Sequence, residues 1–168
     1  CNYFFENVLP SYENNAIVGN TTNIKHYIGE MYFFRAFMYF ERLKSLGDFP
    51  IITKTYPNER EALIEISKRA PRNEVARFIL SDLDKAIEMM QNIAPSGGKN
   101  RLSKDCAILL KSRVALYEGS WLKNFKGTAF VPNGPGWPGA NKDYNANYSF
   151  KSGSIEKESE FFFEEAIK

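Results

Sequence analysis

Four stretches of the chain place apolar side chains at intervals of three and four residues, the period of a helix with a buried face. The first, about Asn23 to Leu46, is apolar almost all round: Ile24, Tyr27, Ile28, Met31, Phe34, Met38 and Leu43 are backed by Phe33, Phe37, Tyr39 and Phe40. A helix of that kind is expected to be packed on most sides. Thr22 or Asn23 can cap its start, Gly47 stands where a left-handed cap residue belongs, and Pro50 stops continuation. Phe49 to Tyr56, rich in β-branched residues, predicts a short extended connection. A second helix is predicted from about Arg72 to Gln91, with Val75, Phe78, Ile79, Leu83, Ala86, Ile87 and Met90 on its apolar stripe and Pro71 at its first turn. Pro95, Ser96, Gly97 and Gly98 then read as a turn. The third helix starts at the cap candidate Ser103 and carries Ala107, Leu110, Val114, Tyr117 and Trp121 on one face. Helical periodicity dissolves between Gly127 and Gly153 into a loop rich in Pro, Gly, Asn and Tyr, and resumes from about Glu156 to Lys168.

The helices repeat one another. Met31-Tyr-Phe-Phe-Arg-Ala-Phe-Met-Tyr-Phe40 aligns with Ala107-Ile-Leu-Leu-Lys-Ser-Arg-Val-Ala-Leu116, bringing Arg35 onto Lys111. Asp82-Leu-Asp-Lys-Ala-Ile87 similarly aligns with Phe162-Phe-Glu-Glu-Ala-Ile167. Two units of helix, insertion and helix, with a small residue where the partners cross, describe tetratricopeptide-like hairpins into which loops have grown. The expected fold class is therefore all-α: a tetratricopeptide-like superhelix with helix pairs over about 23–91 and 103–168 and insertions over about 47–71 and 120–157. Because such repeats bury their faces only against neighbours, two copies point to a larger parent protein. The final apolar run, Phe161, Phe162, Phe163, Ala166 and Ile167, stops without a Gly or Pro, which also reads as a fragment boundary.

Charge narrows the partners. The formal net charge is only +2, and Lys and Arg alternate with Asp and Glu along each helix instead of forming the stripe that nucleic acid requires. No stretch approaches the roughly 18 apolar residues of a membrane span. Cys1 and Cys106 are too far apart in sequence for a zinc motif and read as free thiols. His26 is the sole histidine, which removes His-paired metal sites and the usual activation of a Ser or Cys nucleophile. Adjacent carboxylates such as Glu164 and Glu165 lie on different helix faces and form no acid and base pair. A basic residue kept at Arg35 on an apolar face is expected to pair with Asp82 or Asp84 of the facing helix. A binding protein without cofactor fits better than an enzyme.

Several motifs then resemble a known family. Gly29-Glu-Met-Tyr-Phe-Phe-Arg-Ala-Phe-Met-Tyr-Phe followed by Gly47-Asp-Phe-Pro-Ile-Ile is similar to the signature helix and exit of SusD/RagB-type proteins, close to G-E-A-x-F-L-R-A-x-x-Y-F and G-D-V-P-L. Arg69-Ala-Pro-Arg-Asn-Glu-Val with Ile79-Leu-Ser-Asp-Leu-Asp-Lys-Ala resembles the segment R-x-P-R-x-E-V and I-x-x-D-L-x-x-A. Arg101 to Gly119 resembles the helix G-R-x-T-K-x-A-A-x-A-L-K-A-R-V-A-L-Y-E-G, and Phe163-Glu-Glu-Ala-Ile fits the next one. Asn100, Met31, Cys106 and Ser112 depart mildly from these patterns. Cys1 to Val8 resembles an internal helix of the family, so Cys1 is not expected to be the lipid-bearing cysteine. The resemblance implies a surface-exposed outer-membrane lipoprotein of Bacteroidetes-type bacteria, anchored outside this stretch, that captures an oligo- or polysaccharide and lids a TonB-dependent transporter of the SusC type. It implies a SusD-like tetratricopeptide region over residues 1–168 of a longer protein. A tetratricopeptide scaffold that binds only protein is the alternative.

Glycan capture needs flat aromatic faces and planar polar side chains on a pre-shaped surface. The segment between Trp121 and Tyr148 supplies both: Trp137 lies within Asn133-Gly-Pro-Gly-Trp-Pro-Gly139, and Tyr144 and Tyr148 alternate with Asn141, Asp143, Asn145 and Asn147. Trp137, Tyr144, Tyr148, Asn141 and Asn145 are accordingly the candidate ligand-binding residues. Two readings of Trp137 stay open, a ring presented outward by its turn or a plug behind its own loop, whereas Trp121 continues a core stripe. Asp143, Asn145 and Asn147 have the spacing of a calcium loop, but Tyr148 stands where that loop needs Gly and Ser154 where it needs Glu, so a solvated turn is the better reading. The family's carbohydrate platform draws on segments either side of this one, and no site residue transfers by motif.

Overall fold

Each of the four long helices packs on the next to form two stacked hairpins. In a computed structural model, residues 1–97 and 100–168 are described, so Gly98 of the expected turn lies outside the described residues. The helices are α1 (Asn2–Glu13), α2 (Thr21–Leu46), α3 (Arg60–Ile66), α4 (Arg72–Met89), α5 (Lys104–Asn124) and α6 (Ile155–Ala166). Helix α2 lies along α4, α4 along α5, and α5 along α6. Among the described residues there is no β-strand, only one antiparallel bridge between Phe49 and Ala70. This is the all-α, tetratricopeptide-like arrangement that the periodicity and the repeated helices imply.

Helix α4 has neighbours on two sides, and its sequence shows why. Val75, Ala76, Ile79, Leu83 and Ala86 are fully buried, spread over more than one face because α2 and α5 both press on it. Ile28, Ala36 and Leu43 of α2, Ala107, Val114, Ala115 and Leu122 of α5, and Phe162 of α6 complete one continuous core. Where the hairpin partners cross, glycine permits the approach. A Cβ on Gly29 would stand 2.7 Å from Met90 Cγ and 3.0 Å from Met89 Cβ, and one on Gly119 would stand 3.1 Å from the Phe163 ring.

Charged side chains are buried between the helices, each in a pair. The Arg35 guanidinium forks onto Asp82 with Nε to Oδ2 at 2.7 Å and Nη2 to Oδ1 at 2.8 Å; its third nitrogen donates to Asn2 Oδ1 at 3.0 Å. Asp82 is thus the partner, and Asp84 goes to Lys111, which spans α5 to α4 and α6 through Asp84 at 2.7 Å and Glu165 at 2.8 Å. Arg72 forks onto Glu118 of α5, and Arg77 forks onto Glu158 of α6. Losing one member of a fully buried pair leaves a charge in the core, a cost of about 3–5 kcal/mol, although the intact pair is often no more stabilising than apolar residues of the same volume. Their main effect is to fix the register of helices whose apolar surfaces alone would tolerate sliding.

Several local expectations shift. Asn20, not Thr22 or Asn23, caps α2, its side chain accepting from Asn23 N–H at 3.0 Å. Pro71 is the cap of α4 and not its first helical residue, because its ψ of 145° is extended. Gly47 has the expected positive φ of 69°, but ψ of −108° takes it outside the left-handed helical well. Ser103 caps α5 by position without a side-chain bond to the helix. Helix α3 was masked in the sequence by its short length, seven residues. Helix α2 is packed on most sides, as its sequence predicts, but α1, α4 and α5 leave one face uncovered, where Tyr27, Phe34, Phe37 and Met38 are exposed.

Gly29→Ala separates crossing geometry from helix propensity. Propensity alone would stabilise by about 1 kcal/mol; overpacking against Met89 Cβ and the Met90 backbone costs roughly 1–3 kcal/mol. The expected result in urea denaturation is a net loss of about 1 kcal/mol, and a gain would contradict the crossing.

Candidate ligand-binding cleft

The second insertion folds back over the seam between the two hairpins, and Asp48 fastens it there. Asp48 follows the C-cap of α2 and reaches the start of α4, where its Oδ1 accepts from the Arg72 backbone N–H at 2.9 Å. A carboxylate at this place satisfies one of the unpaired donors of the helix and complements its dipole. Its other oxygen, Oδ2, accepts from Trp137 Nε1 at 2.7 Å. Burial pushes the Asp48 carboxyl above its ordinary value, and the Trp137 and Arg72 hydrogen bonds with the nearby Arg72 and Arg69 charges oppose this only in part.

Beside this anchor, Arg72 is sandwiched. One side forks onto Glu118, and the other lies over the Trp121 ring at 4.0 Å from the centroid. Burial raises the Glu118 pKa, opposed by the charge and hydrogen bonds of Arg72. The Trp121 indole donates to the Phe130 carbonyl at 3.0 Å, so the end of α5 holds the start of the insertion. Tight turns do the rest: the Trp137 ring lies against Gly139, where any Cβ would be 2.2 Å from a ring carbon.

The far end of the insertion is tied to α4 and α6. Tyr148 Oη donates to Asn73 Oδ1 at 2.7 Å, and Asn73 Nδ2 donates to Glu158 Oε1 at 3.0 Å. Glu158 also accepts from Arg77 and from Ser152 N–H. Burial pushes its carboxyl up, but the bonds from Arg77, Asn73 and Ser152 together prevail and leave it at about 2.

Between the insertion, the end of α2 and the segment before α4 lies a cleft of about 600 Å³. Its walls include Lys44, Asp48, Arg69, Arg72, Trp121, Phe130, Trp137, Lys142, Tyr144 and Asn145. The volume suits a small-molecule or oligomeric ligand. Tyr144 is 44% exposed and Phe130 62%, so flat apolar faces are available at the rim. A second depression, lined by Ile51, Arg69, Asp143, Tyr144 and Tyr148 among others, adjoins it across Tyr144.

The candidate residues are partly brought together. Trp137, Tyr144 and Asn145 share the cleft, Tyr148 lines only the adjoining depression, and exposed Asn141 lines neither. Trp137 follows the second of its two readings: at 3% exposure, with its ring 5.6 Å from that of Tyr148, it plugs the loop and offers the cleft only an edge. Asn145 donates its side-chain amide to the Gly139 carbonyl at 3.1 Å. The turn Asp143–Asn145 is a short 3₁₀ helix, and among the described residues no group of three or more His, Cys, Asp or Glu side chains could hold a metal ion. His26 is fully buried and accepts from Gln91 N–H through Nδ1 at 2.9 Å, with Nε2 3.5 Å from Glu30 Oε1. Trp121 is only half-buried, and with Arg69, Arg72 and Lys142 it is a cleft residue that periodicity placed in the core or passed over. For Arg69 and Arg72 the signal was the pairing of two motifs, Gly47-Asp48-Phe49 and Arg69-Ala70-Pro-Arg72, which the Asp48 bond and the Phe49–Ala70 bridge join; nothing local in the sequence marked Trp121 or Lys142.

The SusD-like family model described as starch-binding, associating with outer membrane, matches residues 8–116. The crystal structure of a SusD-like protein from Bacteroides fragilis is similar at 30% identity and a TM-score of 0.60, over 89% of this chain and 25% of that one. The chain thus spans about a quarter of that protein's length. No curated protein matches. No helix among the described residues is long and apolar enough to cross a membrane.

Glu158 gives the insertion a pH dependence of definite sign. Its carboxyl stands at about 2 in the fold and near 4.5 when unfolded; its bonds therefore stabilise fully above pH 4.5 and are lost as pH falls toward 2, a contribution of roughly 3 kcal/mol. Unfolding free energies measured across that window are expected to fall more steeply for the wild type than for Glu158→Gln. Parallel curves would contradict the assignment.

Proposed function

The chain belongs to the SusD-like family, and on that premise we propose that it forms part of a cell-surface protein that captures a glycan without transforming it. In this reading the protein sits at the outer membrane through a lipid anchor outside residues 1–168, as the binding partner of a TonB-dependent transporter of the SusC type. Residues 1–168 serve as its tetratricopeptide-like region. The observation that carries the reading is the cleft of about 600 Å³ whose rim exposes the Tyr144 and Phe130 rings while its floor is held rigid by Asp48, Arg72 and Glu118. Rigid walls with a few exposed aromatic faces suit binding, because little ordering cost is left to the moment of association. Tyr144 and Asn145 form the sugar-contacting wall, the Trp137 edge closes it, Tyr148 extends it into the adjoining depression, and exposed Asn141 lies outside both. The polar groups that could do chemistry are kept from the ligand, His26 by complete burial in the core and Asp48 and Glu118 by their structural bonds.

One observation favours the second reading, a scaffold that binds protein alone. Helices α2 and α5 leave Phe34, Phe37, Met38, Leu109 and Leu116 exposed, an apolar surface that further polypeptide or a partner could cover.

The two readings part in a binding experiment on the full-length protein. Tyr144→Ala, at an exposed position, is expected to leave thermal unfolding unchanged and to weaken glycan binding in calorimetry by about tenfold, the loss of one stacked ring. Co-purification of a transporter with no glycan binding by the intact protein would favour the scaffold. Turnover of a bound glycan would overturn the non-catalytic reading.

A further inference from the structure

The cleft is unevenly charged. Four of its lining residues are basic, Lys44, Arg69, Arg72 and Lys142, and one is acidic, Asp48. Two of these basic groups are already matched. Lys44 pairs with Glu41 at 2.7 Å, and Arg72 is neutralised by Glu118. Asp48 in turn has both oxygens occupied, by Trp137 Nε1 and the Arg72 backbone N–H. The Arg69 charge acts in part on Asp48, but neither Arg69 nor Lys142 takes part in an ion pair among the described residues and both are exposed, so the lining open to a ligand is net positive. Asp143, exposed and next in sequence to Lys142, lines the adjoining depression and not this cleft.

These two cations share the cleft lining with aromatic side chains. Arg69 and Tyr144 line both this cleft and the adjoining depression, and Lys142, Trp121 and Phe130 line the cleft alone. A neutral sugar needs only the faces and hydrogen-bonding groups. It would leave the two exposed cations with water as their partner and draw nothing from their charge. A sugar that carries carboxylate or sulfate groups satisfies both features at once, its C–H face on a ring and its anions on Arg69 and Lys142 through charge-assisted bonds. An acidic peptide would match the charge but not the flat rims. We infer that the cleft takes an acidic oligosaccharide, uronate-bearing or sulfated, with Arg69 and Lys142 as its specificity-determining residues. This rests on the glycan-capture reading and narrows its substrate class.

The test uses the full-length protein on an array of uronate-bearing, sulfated and neutral oligosaccharides, with a poly-glutamate peptide as a non-sugar polyanion. The strongest ligand is then titrated by calorimetry at low and high salt. Binding is expected to concentrate among the acidic sugars, to weaken with salt as partly exposed ion pairs do, and to fall by about tenfold in the double variant R69A/K142A. Both side chains are exposed, so circular dichroism of the variant should match the wild type. Binding confined to neutral sugars would overturn this inference and leave glycan capture standing. Acidic sugars bound equally well by the double variant would remove it from this cleft. Poly-glutamate binding as tight as the best sugar would point to a protein partner, and no sugar bound at all would sink glycan capture together with the inference.

Discussion

The forked ion pairs on α4 are the constraint from which the rest of the structure follows. Asp82 takes Arg35 from α2, Arg72 reaches Glu118 on α5, and Arg77 with Asn73 holds Glu158 on α6. Apolar packing supplies the cohesion of the core, but it is nondirectional and forgiving of small slides. A guanidinium fork on a buried carboxylate is neither. Each helix is thereby keyed to α4 at one level along its axis, and glycines at the two crossings let the backbones meet.

The cleft is a consequence of that keying. Arg72 is fixed by Glu118, so the N-terminal end of α4 stands at a set place beside the end of α5. Asp48 can then bridge the α4 backbone and the Trp137 indole, and the insertion is drawn over the seam instead of floating free. Tyr148, Asn73 and Glu158 fasten its other end. A loop with so many Pro, Gly and Asn residues and so little regular structure becomes a rigid wall through a few long-range polar bonds.

Much of the fold was legible in the sequence because helices of this kind write their buried faces at a fixed period. Val75, Ile79, Leu83 and Ala86 are core as spaced, Arg35 finds Asp82, and the aligned repeats become stacked hairpins. Three features were not legible, each for a physical reason. Helix α3 is too short to display a period. The uncovered face of α2 is as apolar as the covered ones, so pattern alone could not separate them. Trp121 continues a core stripe and yet ends half-buried, because its neighbours across the seam are an arginine and a loop and not another helix. The candidate site was legible as a region and only partly as residues: Tyr144 and Asn145 reach the cleft, whereas Trp137 turns inward because its N–H finds Asp48, a partner 89 positions away. Distance along the chain hides such bonds from any local reading.

In the proposed reading, the tetratricopeptide-like hairpins hold the cleft as a pre-shaped wall for the ligand. Because the chain spans about a quarter of the related Bacteroides fragilis protein, the decisive question is whether that wall meets ligand or is covered by other polypeptide. A crystal structure of the full-length protein soaked with its strongest-binding oligosaccharide answers it directly. The account predicts sugar rings over Tyr144 and beside Trp121, with their acidic groups toward Arg69 and Lys142. Sugar density elsewhere, with the cleft filled by another segment of the same chain, would contradict it.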